Sequence, residues 1–296
     1  MSEGTRTPDR LDHNQELYQL SFAHRVGTES TDGCAGTARR MPVASGAQMA
    51  DPPNEIVPGV HRLGTPLVNF YLVEEDGRYT VVDAGLPRYF GRLIHALRAL
   101  GAKLADVEAV VLTHAHPDHV GIAERLRTEA QARVHVHEAD AQMARTGKLP
   151  GTDASFLSYL WRPPAWRLLG HFATHGGARP QRVEDVATFT DGAVLDVPGR
   201  PRAVATPGHS AGHAVLHLEQ RGVLFAGDAL CSRNPLTGRK GPQVMPRALN
   251  ASTDQALASL ERFQDVEAGH VLFGHGEPWT QGTRAAVEKA REQGLS

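Results

Sequence analysis

A polar cluster that directly follows an apolar run limits, more than any other feature, how this chain can fold. Apart from Glu108, the run Val107–Leu112 is made of β-branched and aliphatic residues, a composition that predicts a buried strand. The next nine residues, 113–121, read THAHPDHVG. Strand ends in α/β proteins are where ligand sites collect, so the pattern predicts a functional loop at a sheet edge.

The chemistry of this loop indicates a bound cation. Its central part places the imidazoles of His114, His116 and His119 and the carboxylate of Asp118 within six positions. Imidazole nitrogen and carboxylate oxygen are the ligands that zinc takes in catalytic sites. A solvated polar loop would not require this combination, so we predict a metal site.

Five motifs in a fixed order resemble the metallo-β-lactamase superfamily. They cover about residues 56–290, which favours one domain at 53–296. The motifs are Val81-Val82-Asp83-Ala84-Gly85, His114-x-His116-x-Asp118-His119, Thr206-Pro207-Gly208-His209-Ser210-Ala211-Gly212-His213, Ala226-Gly227-Asp228 and Gly274-His275-Gly276. The resemblance implies an α/β (α+β) fold, the four-layer αββα sandwich, and is strongest to the glyoxalase II-like and lactonase-like branch.

Strand-rich sequence on both sides of residue 180 agrees with two sheets packed face to face and flanked by helices. In the second half, we predict strands at Val183–Phe189, Ala193–Val197, Arg202–Ala205, Ala214–Leu218 and Val223–Phe225.

The resemblance also implies a ligand set for two Zn²⁺ ions. The first zinc ion would bind His114, His116 and His209, the second would bind Asp118, His119 and His275, and Asp228 would bridge them. Zinc lowers the pKa of bound water to about 7, so a bridging hydroxide would be available as the nucleophile. Asp118 is the predicted catalytic residue, because it can orient that hydroxide and pass its proton to the leaving group.

Two further residues have open interpretations. Asp83 is either an outer carboxylate that orients a metal-bound histidine or a turn-forming residue before Ala84-Gly85. His213 either supports the metal ligands from outside or packs in the core.

Residues 147–182 interrupt the strand and helix pattern and contain Trp161 and Trp166. In the superfamily an insertion near this point commonly forms a lid, and an aromatic wall would suit an acyl or otherwise lipophilic substrate. The alternative is a helical pair packed on the domain, or a contact in a homodimer. His171 and His175 also lie here, and the ligand set is complete without them.

Composition excludes several classes of partner. The net charge is −2, which gives no general attraction to nucleic acid or anionic membranes, so we expect a small-molecule substrate. Only two cysteines occur, and no apolar run reaches the length of a membrane span. A cytoplasmic protein is expected. Residues 1–52 lack periodicity and are predicted to be a disordered tail or sequence before the true start.

The function that these expectations favour is hydrolysis of an ester, thioester or lactone by two zinc ions. The main alternative is a persulfide dioxygenase-like oxidoreductase with one Fe²⁺ held by His114, His209 and Asp228. β-Lactamase and phosphodiesterase or ribonuclease activities are further alternatives.

Overall fold

Runs rich in valine, leucine and aromatic residues pair into two large sheets in the computed structural model, which describes residues 53–179 and 181–295. The prediction for residues 1–52 therefore lies outside the described residues. The strands are β1 (Asn54–Val57), β2 (Val60–Thr65), β3 (Val68–Glu75), β4 (Arg78–Val82), β5 (Val107–Val111), β6 (Arg133–His137), β7 (Ala187–Phe189), β8 (Arg202–Ala205), β9 (Ala214–Leu218), β10 (Val223–Gly227), β11 (Cys231–Arg233), β12 (Lys240–Gln243) and β13 (His270–Phe273).

The first sheet contains β1 to β7 in chain order. Strands β1 to β4 are antiparallel, and β3 and β4 are joined by a hairpin turn at Asp76-Gly77, where both residues have positive φ. Strands β4 to β7 are parallel. The carboxyl ends of these four strands therefore meet at one edge, where the loop after β5 emerges.

The second sheet has the order β13-β10-β9-β8. Strand β10 pairs parallel with β13 and antiparallel with β9, so the ends of β10 and β13 lie side by side. A separate two-stranded ribbon joins β11 to β12. Its short sequences carry no alternation of apolar and polar residues, so the sequence predicts no strand there.

Helices cover the outer face of each sheet. They are α1 (Phe90–Ala99), α2 (Pro117–Val120), α3 (Ala123–Glu129), α4 (Ala141–Thr146), α5 (Pro163–His175), α6 (Thr253–Phe263) and α7 (Thr283–Gln293). One core cluster lies between the first sheet and helices α1, α3 and α4, and another lies between the second sheet and helices α6 and α7. A third, including Tyr71 and Phe225, fills the space between the sheets. The layers are helix, sheet, sheet and helix, and the predicted αββα fold is confirmed.

Two predicted strands of the second half are wrong in extent. The strand expected at 183–189 is reduced to β7, and the segment 193–197 makes only one isolated bridge, from Val194 to Arg202. The cause is a tight turn in which Arg200 donates its N–H to the carbonyl of Val197 at 2.8 Å. This turn folds the chain back onto β8 before a full strand can form.

In the part of the chain that the structure describes, no helix is long and apolar enough to cross a membrane.

Candidate metal centre

The loop after β5 carries four of the seven predicted ligands. His116 has extended backbone angles, and Pro117 occupies the first turn of α2, where its fixed φ suits a helix start. A hydrogen bond from the His119 N–H to the carbonyl of His116, at 2.9 Å, forms the turn of this short helix. The change from extended loop to helix places His114 and His116 before the turn, and Asp118 and His119 within it.

The other three ligands come from the second sheet. His209 lies in the loop between β8 and β9, Asp228 directly follows β10, and His275 follows β13. Gly227 has a φ of 49°, and a Cβ at this position would lie 2.6 Å from Thr113 Oγ1 and 2.8 Å from His213 Nε2. Only glycine allows the chain to pass this closely as it turns to present Asp228.

The structure brings all seven predicted ligands together. Their donor atoms form overlapping groups whose members lie within 4.8 Å of one another; the groups are His114, His116 and His209; His114, His119 and Asp228; and Asp118, His119 and His275. The first and third groups have the same members as the two three-residue sets that the family resemblance implied.

Asp228 lies at the centre of the cluster. Its Oδ2 atom is 3.1 Å from His275 Nε2 and 3.3 Å from His209 Nε2. The same oxygen is 3.6 Å from His119 Nε2 and 4.0 Å from His114 Nε2. A single carboxylate oxygen within reach of both halves of the cluster has the position that a bridging ligand requires.

The unpaired buried atoms of this cluster fit a cation. His114 Nε2, His119 Nε2 and Asp228 Oδ1 are buried and have no hydrogen-bond partner. Desolvated polar atoms without partners cost about 1–3 kcal/mol each, so several in one place indicate a bound group. His116 Nδ1 and His209 Nε2 face each other at 2.9 Å, as two ligand atoms aimed at one ion would. The nitrogen and oxygen donor set is one that zinc accepts.

The histidines of the cluster fall into two groups, one with lowered pKa values and one with raised pKa values. Burial lowers the pKa of His116 to about 4 and that of His209 to about 3, and burial with repulsion from neighbouring imidazoles lowers the pKa of His114 well below its usual value. Burial also acts against protonation of His275, but Asp228 and then Asp118 raise its pKa to about 9. Likewise, carboxylates outweigh burial and raise the pKa of His119.

Asp83 and His213 contact the ligands from outside. Asp83 Oδ2 lies 2.9 Å from His119 Nδ1, and Asp83 Oδ1 accepts the Thr113 N–H at 2.8 Å. This aspartate has a φ of 57°, a backbone conformation that non-glycine residues rarely adopt. His213 Nε2 accepts the N–H of Asp228 at 3.0 Å, and its Nδ1 lies 2.8 Å from Thr206 Oγ1. Each residue therefore touches one ligand and can orient it.

Asp140 and Asn250 are two further supporting residues that the motifs did not indicate. Asp140 is buried and accepts the Gly212 N–H at 2.7 Å, the Ser210 hydroxyl at 2.7 Å and the Ala115 N–H at 3.1 Å. It thus joins the loop after β5 to the loop that carries His209.

Asn250 supports His209 itself. Its Oδ1 lies 3.1 Å from His209 Nδ1, and its Nδ2 donates to the carbonyl of Met245 at 2.9 Å. A hydrogen bond at Nδ1 leaves Nε2 of the same ring free to face the cluster.

An apolar cavity of about 220 Å³ opens over the cluster. Its floor includes His116, Asp118, His209, Asp228 and His275, and its apolar wall includes Leu149, Pro150, Leu168, Phe172, Pro235, Met245 and Leu249. Part of the predicted insertion at 147–182 therefore faces the site.

The structure does not place Trp161 and Trp166 in this wall, where the lid interpretation of residues 147–182 expected them. Their exposed fractions are 73% and 59%, and neither contributes to the cavity. Helix α5 buries Ala165 and Leu168, whereas Trp166 projects from a different face and donates its indole N–H to the carbonyl of Leu160 at 2.6 Å. Helical periodicity selects Leu168, not the larger Trp166, as the inward side chain.

Comparison with known families agrees with this geometry. The profile of the metallo-beta-lactamase superfamily matches residues 63–275, which is most of the chain. The chain belongs to this superfamily. The matched range contains all seven residues of the cluster, from the loop after β5 to the end of β13.

Several relatives of this chain carry hydrolase names. The chain is 27% identical over 241 residues to "Probable metallo-hydrolase YflN" of Bacillus subtilis, which covers 76% of this chain and 87% of that protein. It is 28% identical over 179 residues to the human "Acyl-coenzyme A thioesterase MBLAC2", covering 55% of this chain and 58% of that protein. The chain is a metallo-hydrolase of the metallo-beta-lactamase superfamily.

Solved structures of the superfamily show the same fold. The metallo-beta-lactamase family protein TTHA1429 of Thermus thermophilus superposes with a TM-score of 0.57 at 30% identity, covering 81% of this chain and 79% of that one. The metallo-beta-lactamase SMB-1 superposes with a TM-score of 0.59 at 20% identity, covering 83% of this chain and 96% of that one. The second likeness is one of fold alone.

Proposed function

We propose that this protein is a dinuclear zinc hydrolase that cleaves an ester, thioester or lactone bond of a small molecule. The observation that carries the proposal is the pair of three-ligand groups that meet at Asp228 beneath an apolar cavity. His114, His116 and His209 would hold one ion, Asp118, His119 and His275 would hold the other, and Asp228 would contact both. When bound, zinc acts as a Lewis acid that polarises a carbonyl and makes water a nucleophile near neutral pH.

The reaction that we propose is addition of water to an acyl carbon. A C–O bond forms, the C–S or C–O bond to the leaving group breaks, and the products are a carboxylate, a thiol or alcohol, and one proton. Asp118 lines the cavity floor and is 7% exposed, so its carboxylate can reach both water and substrate. In this scheme Asp118 takes the proton from water and delivers it to the departing sulfur or oxygen.

The shape and composition of the cavity favour an acyl substrate. Its wall is mainly proline and aliphatic side chains with Phe172, so moving an alkyl group from water into the cavity is favourable by about 25 cal/mol per Å² of apolar surface buried. The human relative named as an acyl-coenzyme A thioesterase supports a thioester among the three bond types.

Metal analysis and a turnover screen test this proposal together. We expect about two zinc ions per purified chain and, from a panel of acyl thioesters, esters, lactones, phosphodiesters and β-lactams, turnover of at least one thioester, ester or lactone. One iron per chain with oxygen-dependent oxidation of a persulfide would establish the dioxygenase alternative instead. Turnover only of a β-lactam or a phosphodiester would also contradict the proposal.

A variant pair tests the role of Asp118. We expect Asp118→Ala to lower kcat by about 10²–10⁴-fold, the usual contribution of a positioned acid or base, while the fold is retained. Asp185→Ala is the matched control, since Asp185 is exposed and outside the cluster. Circular dichroism checks the fold, and near-normal kcat in Asp118→Ala would refute the assigned role.

A further inference from the structure

A second, larger recess lies beside the metal cluster. Its volume is about 490 Å³, compared with about 220 Å³ for the cavity over the cluster. It is lined by Thr65, Leu67, Arg167, His171 and Arg233, among others, and none of its lining residues is an aspartate or a glutamate. We call it the cationic recess.

The cationic recess shares two walls with the metal site. The carbonyl of Leu67 accepts a hydrogen bond from His275 Nδ1, so one wall is in contact with a ligand of the cluster. Helix α5 forms the other wall. It presents Leu168 and Phe172 to the cavity over the cluster, and it presents Arg167 and His171 to the recess. Helix α5 is therefore the element that lines both spaces.

Hydrogen bonds fix the shape of this recess. His171 Nε2 lies 2.6 Å from the Tyr89 hydroxyl, which in turn lies 3.1 Å from Thr65 Oγ1. Thr65 Oγ1 also accepts the N–H of Leu67 at 3.2 Å. These bonds tie α5 to the loop between β2 and β3, so the two walls are held at a set separation before a ligand arrives.

The positive charge of the recess is unpaired. Within the described residues, neither Arg167 nor Arg233 forms an ion pair, whereas Arg62 is paired with Glu277. Two guanidinium groups and no carboxylate in its lining leave this recess with a local positive charge, although the whole chain has a net charge of −2. Burial, and then the neighbouring charges of His175, Arg92 and Arg167, lower the pKa of His171 to about 4, so His171 adds no charge near neutral pH.

We propose that the cationic recess binds a carboxylate or phosphate group on the leaving-group side of the substrate, through Arg167 and Arg233. Guanidinium groups bind both anions through paired N–H donors, which is the chemistry that this lining offers. The inference rests on the proposed hydrolase function and adds the substrate class to it. The substrate is an amphiphile, with its acyl group in the apolar cavity and an anionic thiol or alcohol in the recess.

Matched thioesters test this assignment. Hexanoyl 4′-phosphopantetheine and hexanoyl pantetheine share an acyl group and a scissile bond and differ by one phosphate. Hexanoyl thioesters of 3-mercaptopropanoate and 3-mercaptopropanamide make the same comparison for a carboxylate close to sulfur. We expect kcat/KM to be about tenfold or more higher for the anionic member of at least one pair. The pair that shows the preference identifies the anion.

Variants connect the preference to the recess. In Arg167→Ala/Arg233→Ala the ratio of anionic to neutral kcat/KM should fall to about one, and sodium chloride should reduce the ratio in the unmodified protein. Arg133→Ala is the matched control, since Arg133 is exposed at the amino end of β6, away from the recess. The control should keep the full ratio.

A binding measurement separates this inference from the proposed function. S-methyl 4′-phosphopantetheine and S-methyl 3-mercaptopropanoate cannot be hydrolysed, and calorimetry should show one of them binding to zinc-free protein and losing affinity in the double variant. Equal kcat/KM within both pairs, or a ratio that survives the double variant, would overturn the recess assignment while hydrolysis stands. Absence of any thioester, ester or lactone turnover, with binding intact, would overturn the proposed function instead.

Discussion

Asp140 joins two ligand-bearing loops through a single buried carboxylate. It accepts hydrogen bonds from Ala115, Ser210 and Gly212, so this one side chain is bonded to both loops. Burial raises the pKa of Asp140, so keeping this carboxylate in the interior costs free energy, which hydrogen bonds from its three donors offset only in part. An acid retained at such a cost indicates a role in positioning the ligands.

We therefore expect Asp140→Ala to weaken zinc binding by about 10–100-fold, the range for outer partners of metal ligands. The three donors would lose their acceptor, and both loops would gain freedom. Competition with a chelator of known affinity measures the change, with Asp185→Ala as the exposed aspartate control. Unchanged zinc affinity in Asp140→Ala would show that the loops hold their positions without it.

Protonation of the ligands predicts how zinc binding depends on pH. In the metal-free protein the pKa of His275 is about 9, raised by Asp228 and Asp118, so this imidazole carries a proton at pH 7.5. Zinc requires the neutral ring, and binding must displace that proton. The pKa of His116 is about 4, so His116 releases none.

Zinc affinity should accordingly rise as pH increases from about 6.5 towards 9, since fewer protons then compete. Calorimetric titrations at pH 7.5 in buffers of different ionisation enthalpy should show net proton release. In the zinc-free protein, the stability that protonated His275 contributes is fully present below 6.5 and is lost as pH rises through about 9. Zinc affinity that is flat across this range would contradict the assigned protonation state.

At the scale of elements, the two tryptophans at helix α5 do not line the cavity over the cluster, although their size suggests that they would. Its most conspicuous residues, Trp161 just before it and Trp166 within it, are exposed, and Phe172 lines the cavity. We expect Phe172→Ala to raise KM for a long-chain acyl substrate several-fold to tenfold, with a smaller effect on kcat, because the lost contact is with bound substrate. Trp166→Ala is the control on the same helix. A KM that rises equally in both variants would place the effect in helix stability.

The sequence predicts the metal ligands, which lie in short local motifs, and misses the supporting residues whose partners are far away along the chain. Each metal ligand follows or lies near a strand end within a short motif, so spacing alone was informative. Asp140 bonds to partners 25, 70 and 72 residues away, and Asn250 to one 41 residues away, so no local pattern reveals them. The position of Asp140 just after β6, at the edge where the parallel strands end, was the one available signal.

For the whole molecule, the metal cluster joins the two sheets. His114, His116, Asp118 and His119 follow a strand of the first sheet, while His209, Asp228 and His275 follow strands of the second. The sheets already meet here, because Asn69 of β3 donates its N–H to the carbonyl of Gly274 at 2.8 Å. Ions bound by both sets of ligands would hold the two halves of the sandwich together.

A substitution at Gly274 tests whether bound ions hold the two sheets together. A Cβ at this position would collide with Asp228 Oδ1 and would lie 2.7 Å from His119 Cε1, so alanine cannot be accommodated without moving a ligand. A Cβ at Gly269, just before β13, would meet nothing within 4 Å. Gly274→Ala and Gly269→Ala are therefore the same chemical change, made inside and outside the cluster.

Zinc should stabilise the unmodified protein, since a ligand that binds only the folded state adds about 2.7 kcal/mol at one hundred times its Kd. For a domain of this size that corresponds to a rise in Tm of about 5–10 °C for one ion. Scanning calorimetry with and without a chelator should show this rise in Gly269→Ala and a much smaller one in Gly274→Ala. Because the two variants are compared by their response to zinc, any cost of alanine to the metal-free fold cancels. An equal response would mean that ions bound here do not depend on Asp228 and do not link the sheets.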